Sequence, residues 1–505
     1  MKRLYRFLVI MVLAAAGFTA NAQNDGITFT LLSHVPYSNY LNPGIRVPYN
    51  AMIGVGFSNI SFNIYNSSLT YKNFITTNSN GDNVIDGVGI LNSLKDTDNF
   101  INTNFSLDLL NVGFRVNKLF FNIDWRTRVN AEVTYAKDFV GLFVLGNNGY
   151  LGSDNPCNFN INMNATAFSE IGIGAQYDVN DKLTVGIRPK LLIGVANVTM
   201  KNDETKIYTD ADTYAITADV HLDIQAASML KSKISRISDV SNLFDVDSIG
   251  IANMFSITEN IGLGVDFGAS YTFNEHWGLA AGVYDLGYIK WKDTKEKRLH
   301  NDNVNVHSSV FTSLSDVTNM ELDYSSMVGK VIDAVWGNDS LTPGSDYKTY
   351  LKTRIMLQGY YELNPMVRFT AIGQMYYIKD KMRPAITLAY SGEFWNRLDL
   401  TASFTAAKYS GYSLGLGFGF HAGPFNIYAV TDNILALTKV AAPTIEMATS
   451  YSASNFRMGI VWTIGKYQGG NRLSKPVVKK QVIDTEAIDK EIEEFKERNS
   501  DVIDE

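Results

Sequence analysis

Residues Phe121–Tyr135 read FNIDWRTRVNAEVTY and alternate without a break between two kinds of side chain. One phase carries Phe121, Ile123, Trp125, Thr127, Val129, Ala131, Val133 and Tyr135. The other carries Asn122, Asp124, Arg126, Arg128, Asn130, Glu132 and Thr134. Strands of soluble sheets are usually shorter and seldom place charges so regularly on their second face. The stretch therefore predicts a transmembrane barrel strand, with one face toward lipid and the other toward a wet lumen.

Similar runs recur in pairs along the chain, and each pair flanks a short turn, as in β-hairpins. The predicted turns are Asn117-Lys118, Asn180-Asp181, Asn274-Glu275-His276, Asn364-Pro365, the neighbourhood of Asn396, and Gly423-Pro424. Long polar segments separate the pairs, at about residues 66–103, 136–158, 292–349 and 432–454. Short turns at one end and long loops at the other are typical of an outer-membrane barrel.

The strand count depends on the run Thr213–Ala226. A long segment follows it, up to Asn260, and would place the next short turn at the wrong end of the barrel. An even number of strands then requires about 14 if the run is not part of the wall, or about 16 if a further strand is hidden behind it. We predict an all-β, antiparallel barrel of about 14 strands, with 16 as the alternative.

The chain starts like an exported protein. Residues 1–22 combine the basic residues Lys2, Arg3 and Arg6 with the apolar run Phe7–Phe18 and a small-residue cleavage site, so they read as a signal peptide. No later stretch approaches the roughly 18 apolar residues of a spanning helix, so strands must do the crossing. These features predict location in the cell outer membrane, in contact with its lipid.

Segments of uncertain role flank the predicted barrel, which covers residues 51–466. Residues 23–50 contain several prolines, which remove ladder donors, and the turn-forming triplet Asn42, Pro43, Gly44. This segment is either a plug inside the lumen or a periplasmic lead-in. Residues 467–505 form an acidic tail with a short amphipathic helix, which is either solvated or docks a periplasmic protein.

Several side chains are expected on the lumen phase. The predicted lumen-facing charges are Asp124, Arg126, Arg128, Glu132, Arg188, Lys190 and Asp266. They either fill the barrel interior as ion pairs or line a substrate path. Glycines on the same phase, Gly262, Gly264, Gly268, Gly415, Gly417 and Gly419, would let a plug or loop approach the wall closely.

One long loop contains an apolar stripe at helical spacing, formed by Met327, Val331, Ile332, Val335 and Trp336. A helix with such a stripe must bury it. The stripe either packs inside the barrel or forms a gate for a small hydrophobic ligand.

No catalytic, cofactor or metal site is predicted. The six histidines never fall at metal-ligand spacing, and no Gly-x-Ser-x-Gly motif occurs. The net charge of -7 includes no basic stripe, which argues against nucleic-acid binding. We therefore expect a protein that is not an enzyme.

Short motifs resemble those of a known family. The opening Tyr37–Gly44 looks like the start of Bacteroidota outer-membrane barrels, and Gly264–Tyr271, Asp285–Trp291 and Thr431–Ile434 resemble an uncharacterised family of such proteins. That family, a domain of unknown function, is similar to the long-chain fatty-acid transporter (FadL-like) barrels. A weaker similarity is to type IX secretion membrane proteins.

The resemblance implies a plugged barrel, and it supports our first functional hypothesis, a passive transporter of small apolar or amphipathic molecules. The alternative is a structural or assembly component of an outer-membrane secretion or gliding machine, which the tail favours.

Overall fold

The computed structural model describes residues 27–32, 35–40, 42–56, 58–68, 75–77, 83–97, 99–228, 259–306, 340–364, 366–378, 381–395, 397–407, 411–434 and 453–466. The predicted signal peptide, the loop stripe Met327–Trp336 and the tail from residue 467 lie outside these ranges, so those three predictions stay predictions.

Strands account for most of the described chain. The first part holds β1 (Tyr49–Val55), β2 (Ile60–Asn66), β3 (Ile75–Thr77), β4 (Asn83–Ile85), β5 (Asn99–Val116), β6 (Leu119–Tyr135), β7 (Cys157–Asn158), β8 (Ile161–Asp178), β9 (Leu183–Lys201), β10 (Lys206–Thr209), β11 (Ile216–Ser228) and β12 (Ile261–Thr272). The second part holds β13 (Trp277–Trp291), β14 (Lys295–Val306), β15 (Thr342–Pro343), β16 (Tyr347–Tyr350), β17 (Arg354–Asn364), β18 (Val367–Ile378), β19 (Lys381–Phe394), β20 (Leu398–Ala407), β21 (Gly411–Ala422), β22 (Phe425–Thr431) and β23 (Ala453–Lys466).

Helices are few and short in the described ranges. The α-helices are α1 (Gly87–Ser93) and α2 (Lys137–Leu145), and 3-10 turns cover Thr28–Leu31, Pro36–Tyr40 and Asn147–Tyr150. None of the helices that the structure describes is long and apolar enough to cross a membrane.

In the described residues, the strands close into one antiparallel barrel of fourteen wall strands. The last strand, β23, pairs with both halves of the first, β1 and β2, and so seals the wall. The predicted turn at Asn117-Lys118 joins β5 to β6, and those at Asn180-Asp181 and Gly423-Pro424 join β8 to β9 and β21 to β22. These turns share one end of the barrel with the wall's first and last residues, Tyr49 and Lys466, which are paired.

The predicted count of 14 is confirmed, but the reasoning about Thr213–Ala226 is wrong. Ser228 at the end of β11 pairs with Ala196 of β9, and Ile261 at the start of β12 pairs with Ile193 of the same strand. β11 and β12 are therefore one wall strand, interrupted by the insertion 229–260. The run belongs to the wall and needs no hidden partner, because an insertion within a strand leaves the sidedness of the turns unchanged.

The predicted loop 292–349 is also partly wrong. Residues Lys295–Val306 form β14, which pairs with β11 along most of its length. The pairing extends the wall beyond β13 on the loop side.

An apolar belt surrounds the barrel. Ile123 is 49% exposed and Ile386 is 62% exposed, whereas Asp124 beside Ile123 in the chain is fully buried. Trp277, Tyr271 and Trp462, close to the turns, are exposed as well. An outward apolar surface with aromatic residues at its border matches the hydrocarbon layer and interface of a membrane, so the barrel is transmembrane.

The wall is taller on one side. β5, β6, β8 and β9 have 18, 17, 18 and 19 residues, whereas β20 has 10 and β22 has 7. On the loop side of the tall strands, Ile101 and Val133 are buried in one apolar cluster with Leu91 of α1 and Leu142 of α2. These helices therefore cover the upper strands where lipid does not.

Candidate functional site

The N-terminal segment, by which we mean the described residues from Ile27 to Pro48, lies against the inner face of the wall. A Cβ built on Gly186 would lie 2.0 Å from the Pro43 carbonyl oxygen, and one built on Gly268 would lie 2.0 Å from Asn42 Oδ1. Any larger residue at either position would displace the segment. Glycine on the lumen phase therefore makes the close approach feasible.

Asn42, Pro43 and Gly44 form the turn at this contact. The Gly44 amide donates to Asn42 Oδ1 at 2.8 Å, and the Ile45 amide donates to the Asn42 carbonyl at 2.9 Å. The wall reaches the same turn from two strands, because the Ser270 hydroxyl donates to the Gly44 carbonyl at 2.7 Å and Gln176 Nε2 donates to the Pro43 carbonyl at 2.8 Å. The turn is thus hydrogen-bonded both to itself and to the barrel.

An ion pair fixes the segment near the end that carries the short turns. Arg46 Nη2 lies 2.6 Å from Asp178 Oδ1, and both side chains are almost fully buried. Arg115 donates from Nη2 to the Val47 carbonyl at 2.8 Å and also contacts Asp178 at 3.3 Å. Removing either arginine would leave a buried carboxylate less well paired, so the anchor is costly to break.

The start of the segment contacts the opposite wall, in β20 and β21. The Thr28 and Ser403 hydroxyls are 2.8 Å apart, and the Thr28 amide donates to Asp432 Oδ1 at 2.9 Å. A Cβ on Gly415 would lie 2.4 Å from Thr28 Oγ1. The segment therefore spans the lumen between two parts of the wall.

A cluster of eight charged side chains, seven of them buried and Arg128 16% exposed, occupies the inner face of β6, β8, β9, β12 and β13. We call it the charge cluster, and its members are Asp124, Glu170, Asp266, Asp285, Arg126, Arg128, Arg188 and Lys190. Arg188 is its centre: Nε donates to Asp124 Oδ1 at 2.8 Å, Nη1 to Asp266 Oδ2 at 2.7 Å and Nη2 to Glu170 Oε1 at 2.6 Å. Four carboxylates meet four cations, so the cluster is neutral as a whole.

Asp285 enters the cluster through a backbone irregularity. Its φ is 55°, and the register between β12 and β13 shifts between Val265 and Phe267. A β-bulge of this kind re-aims a side chain. Asp285 accepts hydrogen bonds from both Arg128 Nη1 at 2.9 Å and Lys190 Nζ at 2.7 Å, which offset the cost of its left-handed backbone.

Tyr40 joins the N-terminal segment to the charge cluster. Its ring lies 4.5 Å from the Arg126 guanidinium carbon and 5.2 Å from that of Arg188, within cation–π distance. The ring also stacks on Tyr37 at 5.3 Å, and the hydroxyl accepts from Asn111 Nδ2. Burial raises the pKa of Tyr40 well above its usual value, so the hydroxyl stays neutral.

A small polar cavity lies beside Tyr40, toward the loop end of the barrel. We call it the basic chamber, and its volume is about 70 Å³. Its charged lining residues are Arg126, Arg128, Asp285, Lys352, Arg354 and Arg457. The chamber thus combines members of the charge cluster with further cations from β23 (Arg457) and from the start of β17 and the residues before it (Arg354, Lys352).

The structure places all seven predicted lumen charges on the inner face. It brings Asp124, Arg126, Arg128, Arg188, Lys190 and Asp266 together in the charge cluster. Glu132 lies apart, where it accepts from Asn102 at 2.8 Å and lies 3.4 Å from Lys352 Nζ.

Sequence reasoning missed Glu170, Asp285, Tyr40 and Arg457. Glu170 and Arg457 lie on the polar phases of β8 and β23, so a complete reading of the alternation would have found them. Asp285 shares its odd-numbered phase with the lipid-facing Leu279, which is 39% exposed. Only the bulge turns Asp285 inward, and no sequence signal marks it.

A comparison with protein-family models identifies a family for most of the chain. The model of a family described as "Family of unknown function (DUF5723)" matches residues 43–432. A search of curated proteins finds no match.

The solved structures with a similar course of the chain include the following three. A Pseudomonas aeruginosa FadL homologue is 9% identical over 89% of this chain and 100% of its own, with a TM-score of 0.42. The Pseudomonas putida toluene transporter TodX is 8% identical over 89% of this chain and 100% of its own, with a TM-score of 0.39. The Ralstonia pickettii toluene transporter TbuX is 11% identical over 86% of this chain and 94% of its own, with a TM-score of 0.38. At these values the likeness carries no argument about activity.

Proposed function

Because the chain belongs to the family of unknown function DUF5723, whose name assigns no activity, we propose a function from the lumen itself. We propose that the protein is a passive outer-membrane transporter of small amphipathic molecules, and that the N-terminal segment is the plug that closes it. The observation that carries the proposal is the segment's course across the lumen, held at the Arg46–Asp178 ion pair and at Thr28.

The nature of the lumen supports an amphipathic solute over a purely apolar one. The inner wall carries the charge cluster and the hydroxyls of Thr387, Thr401 and Thr405, all buried. A purely apolar molecule forms no hydrogen bonds with these groups, and in passing it would deprive them of the hydrogen bonds that they otherwise make, at a cost in free energy. A solute with a polar head can replace those bonds as it passes.

The outer-membrane location rests on the barrel, its apolar belt and the signal-like start of the sequence. Cell fractionation tests it directly, since the protein should sediment with the outer membrane and lose its first residues on export.

Liposome swelling tests the plug. Deleting Gln23–Tyr49 should leave the strands assembled into a complete barrel, because among the described residues of this range only Tyr49 takes part in a strand pair, with Lys466. The deleted protein should admit small hydrophilic solutes that the full chain excludes. Deletion of Gly469–Glu505 is the matched control and should leave the barrel as tight as the full chain. An assembled barrel that stays equally tight without Gln23–Tyr49 would refute the plug.

The alternative function, a structural or assembly component, depends on the tail from residue 467, which lies outside the described residues. It stays a prediction from the sequence. Capture of a periplasmic protein by the full chain, lost on deleting Gly469–Glu505, would favour it.

A further inference from the structure

Cations dominate the basic chamber although the whole chain is acidic. Arg126, Arg128, Lys352, Arg354 and Arg457 line it, whereas among the described residues Asp285 is the only carboxylate that does so. The chain as a whole has a net charge of -7. The excess of positive charge is therefore local to this cavity.

Carboxylates behind the lining neutralise part of that excess. Glu170 binds Arg126 at 2.7 Å and Arg128 at 3.0 Å, and Glu132 lies 3.4 Å from Lys352. Asp108, which is fully buried, pairs in register with Arg126. None of these carboxylates forms an ion pair with Arg457.

Arg457 projects into the chamber with unused hydrogen-bonding capacity. Its side chain is nine-tenths buried, its Nη2 donates to Ser61 Oγ at 3.3 Å, and its guanidinium lies 4.6 Å from the Phe29 ring. In the described structure Nε of Arg457 has no hydrogen-bond partner, and neither does Nε of Arg126, which also lines the chamber. A buried guanidinium without a carboxylate is costly unless an anion joins it.

We propose that the basic chamber binds an oxyanion, the carboxylate or phosphate group of a solute, between Arg457 and Arg126. A guanidinium presents a planar set of donors that matches both groups. The cavity has room for several water molecules, and so for one such group. This inference rests on the proposed function, because it names the charge of the solute that uses the lumen.

Binding is tested with the full-length protein in nanodiscs of phosphatidylcholine, by isothermal titration calorimetry. The probes are inorganic phosphate, octanoate, octyl phosphate and octyltrimethylammonium, and empty nanodiscs measure the partition of the tails into lipid. Octyl phosphate or octanoate should bind saturably, and octyltrimethylammonium should not. Saturable binding of inorganic phosphate by itself would assign a free anion as the ligand, whereas binding of the octyl anions alone would assign the headgroup of an amphiphile.

Arg457→Gln should weaken binding of the anion about 10-fold or more, since a hydrogen bond to a charged group is lost. The matched control is Arg368→Gln. Arg368 lies over the Tyr360 ring at 5.0 Å, much as the chamber residue Arg354 lies over the Tyr284 ring at 5.2 Å. Unlike Arg354, Arg368 does not line the chamber. Anion binding by the control should stay within about twofold of the native protein.

Lys352→Gln provides a second variant. The Lys352 side chain is 29% exposed, so the substitution leaves no buried cavity and should be tolerated by the fold. It should weaken binding about 2–5-fold. Heat-modifiable migration in electrophoresis verifies that each variant is folded. Unchanged anion affinity in folded Arg457→Gln, or equal binding of octyltrimethylammonium, would overturn the proposal.

Uptake into proteoliposomes tests anion binding by the basic chamber separately from passive transport, the proposed function on which it rests. Passage of neutral amphiphiles without any anion binding would refute the chamber and leave the transporter standing. Anion binding without passage of any solute would refute the transporter and leave the chamber standing.

Discussion

Two parts of the same wall follow one alternation but present different chemistry to the lumen. The charged wall, formed by β6, β8 and β9, directs Asp124, Glu170 and Arg188 inward, where each is fully or almost fully buried. The hydroxyl wall, formed by β19, β20 and β21, directs Thr387, Ser403 and Thr405 inward together with glycines. Charges in a dry interior must be matched one against another, whereas hydroxyls bond weakly and in pairs. The first wall is therefore a fixed structure, and the second is a surface that a packed segment can share.

The largest effect should come from the centre of the charged wall. Arg188→Ala leaves Asp124 without a cationic partner among the described residues and takes one of several cations from Glu170 and Asp266, and breaking a buried ion pair in this way costs about 3–5 kcal/mol of unfolding free energy. Urea unfolding of the refolded barrel in liposomes measures it. If Arg188→Ala lowered the unfolding free energy less than a single hydroxyl substitution in the other wall, the charge cluster would not stabilise the barrel.

An intermediate effect should come from glycines that contact the N-terminal segment, and the two walls should differ. Gly186→Ala, in the charged wall, drives a Cβ against the Pro43 carbonyl of the backbone, at a cost of about 1–3 kcal/mol. Gly415→Ala, in the hydroxyl wall, meets the side-chain oxygens of Thr28 and Ser403, which are able to rotate away, so it should cost less.

Protease sensitivity of the segment and urea unfolding measure both glycine variants. Gly373→Ala is the control, since the nearest atom to its Cβ would be 4.0 Å away. If Gly415→Ala released the N-terminal segment more readily than Gly186→Ala, the hydroxyl wall would be the main attachment site of that segment.

The smallest effect should come from the hydroxyl pair Thr387 and Thr405, whose oxygens are 2.7 Å apart. Thr405→Val leaves one buried hydroxyl without its partner and should cost about 1 kcal/mol. Changing both threonines to valine should cost less than the single change, because neither hydroxyl of the pair is then left without the other. The same urea titration compares the single and double variants, and a double variant worse than the single would contradict this account.

Particular residues show where the sequence was sufficient. Hairpins such as β21–β22 follow from unbroken alternation around a two-residue turn, because the turn and the pleat together set the register. The lumen position of Arg188 and Lys190 follows from the same period. The interruption between β11 and β12 does not, because a long insertion within a strand reads like a loop between two strands.

By itself, the sequence determined most of the wall: for most strands, which residues face outward and which face the lumen, and where the chain turns at the end that carries the wall's first and last residues. These properties are local, since the pleat sends every second side chain to the same face. Only the tertiary structure decided which lumen residues meet. The bulge that turns Asp285 inward, the contact of Tyr40 with Arg126 and the position of Arg457 in the lining of the same chamber depend on closure of the barrel. Closure brings strands hundreds of residues apart to one cavity, and no periodicity along the chain records that.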